Sequence, residues 1–122
     1  MGKKKTAAEK ADEARRYSLA SEASTDEEFE PFFDDPNQAI RNVAAANPAA
    51  SEAVLARFAA DRFWSVRISV AEHPHTSRDT VLSLLEPDPP RRGVVHHAAR
   101  RRLESEGVSF DAHGMPVLDD AG

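Results

Sequence analysis

The chain repeats itself at a spacing of 26 residues, and this repeat restricts its fold more than any other feature. The stretch from Ile40 to Pro48 matches the stretch from Val66 to Pro74, with an apolar-Arg pair, an alanine and the final proline in common. Ser51 and Ser77 follow in the same register. A fixed spacing in this range is typical of stacked supersecondary units, because each unit must bury its apolar face against its neighbours.

Each unit has the pattern of two short helices separated by a proline. In the second unit Asp61 is suited to cap the first helix, Val66 and Val70 lie four residues apart on one face, and Pro74 ends the helix. Ser77 is then a good N-cap for the second helix. The core positions predicted for the second helix of successive units are Phe29, Phe32, Leu55, Phe58, Val81 and Leu84.

Partial copies extend the repeat on both sides. An upstream copy has a capping residue and two aromatic residues in the matching places, namely Thr25, Phe29 and Phe32. Downstream, with one residue inserted, Asp88 and Val94 take the places of Asp61 and Val66. The repeated alanines allow close contact between helices. The sequence therefore predicts a mainly α fold, built as a helical repeat solenoid of units with about 26 residues.

The pattern Asp-x-x-x-x-Val-Arg-x-x-Val-Ala-x-His-Pro-x-x-Ser-x-x-x-Val-Leu, which begins at Asp61, resembles the variant leucine-rich repeat family. Two good copies span residues 35–85, and partial copies extend the match to about residues 24–104. The resemblance implies a right-handed solenoid of alternating α- and 3₁₀-type helices, and it implies little about function because such repeats are scaffolds. A founding member of that family carries a cysteine-bound iron–sulfur cluster, which a chain without cysteine cannot bind.

The segments on either side of the repeats differ from them in composition. Residues 1–16 carry a net charge of +3 and are predicted to form a basic, partly disordered segment before a helical repeat domain over 17–106. Gly107 is suited to end the last helix. Residues 107–122 are predicted to form either a β-hairpin, with Gly114 at a positive-φ position and the last helix as its support, or a flexible tail.

The composition restricts the classes of function. There is no cysteine, which excludes disulfides and thiolate metal sites and fits a cytoplasmic location. No apolar run is long enough to span a membrane, and no apolar stretch follows the basic N-terminus. The chain has no glycine-rich phosphate loop and no Gly-x-Ser-x-Gly motif. We therefore predict a protein that is not an enzyme, has no cofactor and binds a protein partner.

The clearest candidate for a contact surface is the aromatic pair Phe63 and Trp64. The preceding unit has polar Asn37 and Gln38 in these places, and large aromatic residues where the sister unit is polar suggest an exposed anchor. The neighbouring residues Arg62 and Arg67 are suited to contact an acidic rim of the partner. The alternative is that the two aromatic residues cover the acidic first unit.

A nucleic-acid interface is the alternative function. Its candidate residues form two basic clusters: Lys3, Lys4, Lys5, Arg100, Arg101 and Arg102. The overall charge of −5 opposes this interpretation, because nucleic-acid binders usually carry a basic domain. The acidic run over residues 26–35 is open to two interpretations: favourable charge at helix N-termini, or a docking surface for a basic partner.

Two sets of repeated polar residues have structural interpretations that we favour over functional ones. Arg41 and Arg67 occupy the same place in successive units and form either an anion-binding ladder or ion pairs with acids such as Asp35 and Asp61. The histidines permit a metal site, but His73 occupies the place of Asn47, which suits a polar residue that caps the turn before proline. We predict ion pairs, a polar cap and no metal.

Overall fold

The computed structural model describes residues 4–86 and 93–117. Its helices are α1 (Ala7–Glu22), α2 (Asp26–Phe29), α3 (Gln38–Ala46), α4 (Glu52–Phe58), α5 (Trp64–Glu72), α6 (Arg78–Ser83) and α7 (Val94–Ser105). A 3₁₀-helix over Glu30–Phe32 continues α2, and two short strands, β1 (Ser109–Phe110) and β2 (Pro116–Val117), pair in an antiparallel hairpin. The prediction of a mainly helical chain with a small C-terminal hairpin is confirmed.

The longer helices pack side by side in the order α1, α3, α5 and α7. The shorter helices lie against this row and against each other: α2 contacts α4, α4 contacts α3 and α5, and α6 contacts α7. The chain therefore alternates between a row of longer helices and a set of shorter ones. No helix in residues 4–86 and 93–117 combines the length and the apolar character that a membrane span requires.

The short helices begin where the repeat predicts. Thr25, Ser51 and Ser77 are the N-cap residues of α2, α4 and α6. In each helix the hydroxyl oxygen of the cap accepts a hydrogen bond from the backbone N–H three residues later, at 3.2–3.3 Å. An N-cap of this kind satisfies one of the backbone donors that a helix start leaves without a partner.

The core also follows the 26-residue register. Successive pairs or triplets of matching positions are buried: Phe29, Leu55 and Val81; Phe32, Phe58 and Leu84; Ile40 and Val66; Ala44 and Val70; Ala45 and Ala71. These side chains form one continuous cluster that also includes residues of α7. Alanine at the contacts between α3, α5 and α7 allows their backbones to approach closely.

Two predictions differ from the structure. Asp61 is not the N-cap of α5: Phe63 holds that position, and the Asp61 carboxylate instead accepts the Phe63 N–H at 2.9 Å. Val94, aligned with buried Val66, is 46% exposed, and the next residue, Val95, is buried in its place. Helix α1 begins at Ala7, inside the basic segment over 1–16.

The C-terminal hairpin is fixed to α7 by hydrogen bonds and packing. Helix α7 ends at Ser105, and Gly107 follows with a φ of 92° that only glycine adopts readily. The Val108 N–H closes the last turn on the Leu103 carbonyl oxygen. Gly114 has the predicted positive φ. Buried His96 accepts the Glu86 N–H at Nδ1 and donates from Nε2 to the Gly114 carbonyl oxygen at 2.8 Å.

Candidate contact surface

Arg62, Phe63, Trp64 and Arg67 surround the start of α5, and we call these four residues the aromatic turn. The ring centroids of Phe63 and Trp64 lie 5.8 Å apart in a stacked arrangement. Phe63 is partly buried and packs against the core, whereas Trp64 is 51% exposed. Arg62 is exposed as well. The position of Trp64 therefore agrees with the expectation of an exposed aromatic residue supported by the fold.

Asp61 holds the backbone before the aromatic turn. Its carboxylate accepts the Phe63 N–H, and its carbonyl oxygen accepts a hydrogen bond from Nη1 of Arg67 at 2.7 Å. Arg67 is partly buried, so this side chain joins the turn to the next turns of α5. The equivalent bonds recur one unit earlier, where Asp35 accepts the Asn37 N–H and Arg41 donates to the Asp35 carbonyl oxygen. The turn is thus a repeated element with fixed geometry.

Arginine–aspartate pairs also join one unit to the next. Arg41 donates from Nε to the Asp61 carboxylate at 2.8 Å, and the two side chains are almost fully buried. Arg16 of α1 contacts the buried Asp35 carboxylate at 2.7 Å in the same way. Hydrogen bonds to Asp35 and to Asp12 raise the pKa of Arg16. The predicted ion pairing therefore holds for Arg41, whose partner is the Asp61 carboxylate of the following unit. Within their own units Arg41 and Arg67 bond instead to backbone carbonyl oxygens, those of Asp35 and Asp61.

A second set of polar contacts lies at the turns before proline. The side-chain oxygen of Asn47 accepts the Ala49 N–H, and Nδ1 of His73 accepts the His75 N–H, so both residues cap their own turn as predicted. Each also reaches the preceding unit. Asn47 donates to the carbonyl oxygens of Ala20 and Ala23, and Nε2 of His73 donates to the Asn47 carbonyl oxygen. Sequence reasoning identified the caps but missed the bonds between units.

Arg102 continues this set of contacts from α7. Its guanidinium donates to the carbonyl oxygens of His73 at 2.6 Å and Thr76 at 2.8 Å, and it contacts those of Ala71 and Pro74 at longer range. It also pairs with Glu106, which lowers the pKa of that carboxyl. Arg102 stands outside the 26-residue register of Asn47 and His73, so the repeat carries no signal for this role.

The other basic candidates are spread over the molecule. Lys4 is exposed, Lys5 pairs with Glu13, and Lys3 lies outside the described residues. Arg100 lies over the Phe110 ring at 4.9 Å, and exposed Arg101 is 3.9 Å from Glu72. Helices α3 and α5 lie between α1 and α7, which places the two clusters roughly 25–30 Å apart at usual helix spacings. The structure does not bring them together into one surface.

The acidic residues and the histidines have local structural roles. Asp26, Glu27 and Glu28 occupy the first turn of α2, where negative charge is favourable. His73 and His75 are close, with ring centroids 5.0 Å apart, but both ring nitrogens of His73 are hydrogen bonded to backbone. In the part of the chain that the structure describes, no three His, Asp or Glu side chains are placed to hold a metal ion.

Comparisons with models of known protein families, with curated proteins and with solved structures found no match.

Proposed function

We propose that this chain is a non-catalytic protein-binding module. In this proposal the helix pairs form a right-handed solenoid of the variant leucine-rich repeat type, and the aromatic turn is the surface that a protein partner contacts. The observation that carries the proposal is the exposed indole of Trp64, stacked on a Phe63 ring that packs against the core.

The solenoid part of the proposal is supported by contacts that repeat along the chain. Arg41 and Arg67 make the same bond to the carbonyl oxygen six residues earlier, in Asp35 and Asp61. Three helix caps and five sets of core positions follow the same register. Between units, Arg16 and Arg41 pair with the aspartate at the start of the next unit, Asp35 and Asp61. Units that repeat the same contact to their neighbours stack regularly, as the units of a solenoid do.

The binding part is supported by the physical properties of the aromatic turn. A tryptophan side chain has few rotamers to lose, and covering its exposed half removes on the order of 100 Å² of apolar surface from water, worth about 2 kcal/mol. Because Asp61 and Phe63 already fix the backbone, little ordering is needed on binding. Arg62 beside the ring offers a cation to an acidic rim of the partner.

The test is site-specific photo-crosslinking in an extract of the source cells, after nuclease treatment. A photoreactive phenylalanine analogue replaces Arg62 in one variant and exposed Ala56 of α4 in the control. We expect a protein that is crosslinked from position 62 and not from position 56. An excess of unlabelled wild-type protein should compete with this crosslink, and an equal excess of Trp64→Ala should not.

The same Trp64→Ala variant separates binding from folding. We expect its melting temperature to stay near that of the wild type while its affinity for the crosslinked partner falls roughly 30-fold. Competition by Trp64→Ala that equals the wild type would refute the aromatic turn as the contact surface. A species that is crosslinked only when the nuclease treatment is omitted would instead favour the nucleic-acid alternative.

A further inference from the structure

Helices α3, α5 and α7 leave one side of the helix row exposed to solvent. Because Val95 is buried in the place of Val66, the positions of α7 can be matched to those of α5. In this register each of the three helices has two exposed or half-exposed positions in matching places. We call these six residues the row face: Ala39, Asn42, Ser65, Ile68, Val94 and His97.

Side-chain contacts between the helices show that the row face is continuous. Ser69 of α5 donates to the side-chain oxygen of Asn42 in α3. Glu72 of α5 lies 3.9 Å from Arg101 of α7, and each of these two residues comes one helical turn after a residue of the row face. Matching positions of neighbouring helices therefore lie side by side. The pair of Glu72 and Arg101 borders this surface at one end, and exposed Trp64 borders it at the other.

The row face is uncharged in a chain that is rich in charge. Acids, lysines and arginines make up 30% of the residues, yet none of the six positions holds one. The exposed positions of the short helices α4 and α6 differ, since they include Glu52, Arg57, Arg78 and Asp79. A charged group placed against the row face would lose its water without gaining a counter-ion. The face is therefore complementary to a partner surface that is itself uncharged.

The polar groups of the row face distinguish an extended partner from a helical one. The side-chain oxygen of Asn42 accepts from Ser69, whereas its Nδ2 has no hydrogen-bond partner among the described residues. A donor that becomes covered on binding needs an acceptor. An extended peptide offers backbone carbonyl oxygens along its length, whereas a helix, including the same face of a second copy, has bonded its own backbone groups internally.

We propose that the row face binds an extended, uncharged segment of the protein partner, which crosses α3, α5 and α7 beside the aromatic turn. This inference rests on the proposed function and names the part of the partner that is recognised. Three helices at usual spacings span roughly 16–20 Å, which an extended chain of about six residues covers. Apolar side chains of the segment contact Ile68 and Val94, and one of its backbone carbonyl oxygens accepts from Asn42.

Selection from a display library of random peptides is the first test. The probe peptides have about eight residues, enough to cross three helices, and contain no tryptophan. We expect the wild-type protein to enrich peptides with an uncharged apolar centre. Trp64 is the only tryptophan of the chain, so a synthetic copy of an enriched peptide should change its fluorescence on binding. For so short a segment we expect a dissociation constant of about 1–100 µM.

A pair of aspartate variants locates the bound peptide. Val94→Asp places a carboxylate within the row face and should weaken binding of the enriched peptide at least about 10-fold. The control is Ala53→Asp, which adds the same charge in the first turn of α4 at an exposed position and should change the affinity less than about twofold. Both variants should melt near the wild type, because aspartate is favourable in the first turn of a helix.

Disulfide crosslinking tests whether the peptide crosses the helices, and the chain has no native cysteine to interfere. The enriched peptide is made with a cysteine at one end or at the other. One end should crosslink to Ala39→Cys on α3 and the opposite end to Val94→Cys on α7, whereas Ala53→Cys on α4 should react with neither. A peptide whose two ends both prefer the same position would lie along one helix, which refutes the proposed arrangement.

Further outcomes would overturn the proposal. They are enrichment of acidic or basic peptides only, and the absence of any peptide that binds below about 1 mM. The competition experiment with the partner crosslinked from position 62 separates the two proposals. Competition by Val94→Asp that equals the wild type would refute the row face and leave the aromatic turn as the contact surface. Competition by Trp64→Ala that equals the wild type would refute the aromatic turn itself.

Discussion

Nε of Arg41 lies 2.8 Å from the Asp61 carboxylate, and the side chains of this pair are only 5% and 6% exposed. The same arginine donates from Nη1 to the Asp35 carbonyl oxygen at 2.7 Å. One guanidinium thus joins the turn before its own helix to the turn before the next one. Because Asp61 also holds the N–H of Phe63, this buried pair connects the stacking of units with the geometry of the aromatic turn.

We expect Asp61→Asn to lower the free energy of unfolding by about 3 kcal/mol, because it leaves the buried charge of Arg41 without its counter-ion. The asparagine oxygen can still accept the Phe63 N–H, so the effect reports the ion pair. The control is Glu30→Gln, which breaks the exposed pair with Arg57 and should cost less than about 1 kcal/mol. Urea unfolding measures both, and equal losses would contradict a dominant role for the Arg41 pair.

Phe58 is almost fully buried in α4 and its ring contacts Phe33, with centroids 4.7 Å apart. Phe58→Ala should cost roughly 3–5 kcal/mol, since it removes a large side chain from the core and leaves a cavity. This is a large part of the stability of a domain of this size. A thermal melt identical to that of the wild type would show that the core register is wrong.

The register of α7 can be tested with two neighbouring valines. Val95 is buried, so Val95→Ala should lower the free energy of unfolding by about 1.5–2.5 kcal/mol. Val94→Ala changes the same number of atoms on an exposed side chain and should cost less than about 0.5 kcal/mol. Denaturant unfolding of the two variants decides between the structure and the repeat alignment. The alignment places Val94 with buried Val66, so it predicts that Val94→Ala costs more than Val95→Ala.

His96 should control the attachment of the hairpin. His96→Phe keeps a ring in the site but removes the bond to the Gly114 carbonyl oxygen and leaves the Glu86 N–H without its acceptor. We expect faster hydrogen exchange at the Asp111 amide, which bonds to Met115 within the hairpin. Amides of α3 should keep their protection, and uniform loss of protection along the chain would contradict a local role for His96.

Stability should fall at acid pH because paired carboxyls have lowered pKa values. Arg102 and then Arg78 lower the pKa of Glu106 below its ordinary 4.5, and Lys5 with Asn37 does the same for Glu13. A group whose pKa is lowered on folding contributes stability above its unfolded pKa and loses it as the pH falls through the folded value. The melting temperature should therefore fall as the pH is lowered below about 4.5.

The Glu106→Gln variant checks the origin of this acid sensitivity. Glutamine carries no charge at any pH, so the variant should melt at lower temperature than the wild type near pH 7 and approach it at pH 3. The control is Glu104→Gln on the same helix, whose partner Arg100 is at a longer 3.4 Å in an exposed pair. A difference between wild type and Glu106→Gln that does not change with pH would contradict the assignment.

The sequence by itself determined the local elements and which of their faces are buried. The caps at Thr25, Ser51 and Ser77 and the burial of Phe58 and Val81 follow from the 26-residue register. These features depend on residues within one or two helical turns of each other. Local propensity and apolar periodicity are therefore sufficient to predict them. The exposed position of Trp64 was predictable from the comparison of units, because the preceding unit has polar Gln38 in the same place.

Tertiary structure decided which unit each polar side chain contacts. Arg41 meets Asp61, and His73 meets the Asn47 carbonyl oxygen, only once the units are stacked. Stacking likewise brings Arg102 to the carbonyl oxygens of His73 and Thr76 in one turn. The same is true of Val95, which is buried instead of Val94 because the rotation of α7 depends on its packing against α5. Such contacts join residues about 20–30 positions apart, and a buried donor takes whichever acceptor the packing brings within reach.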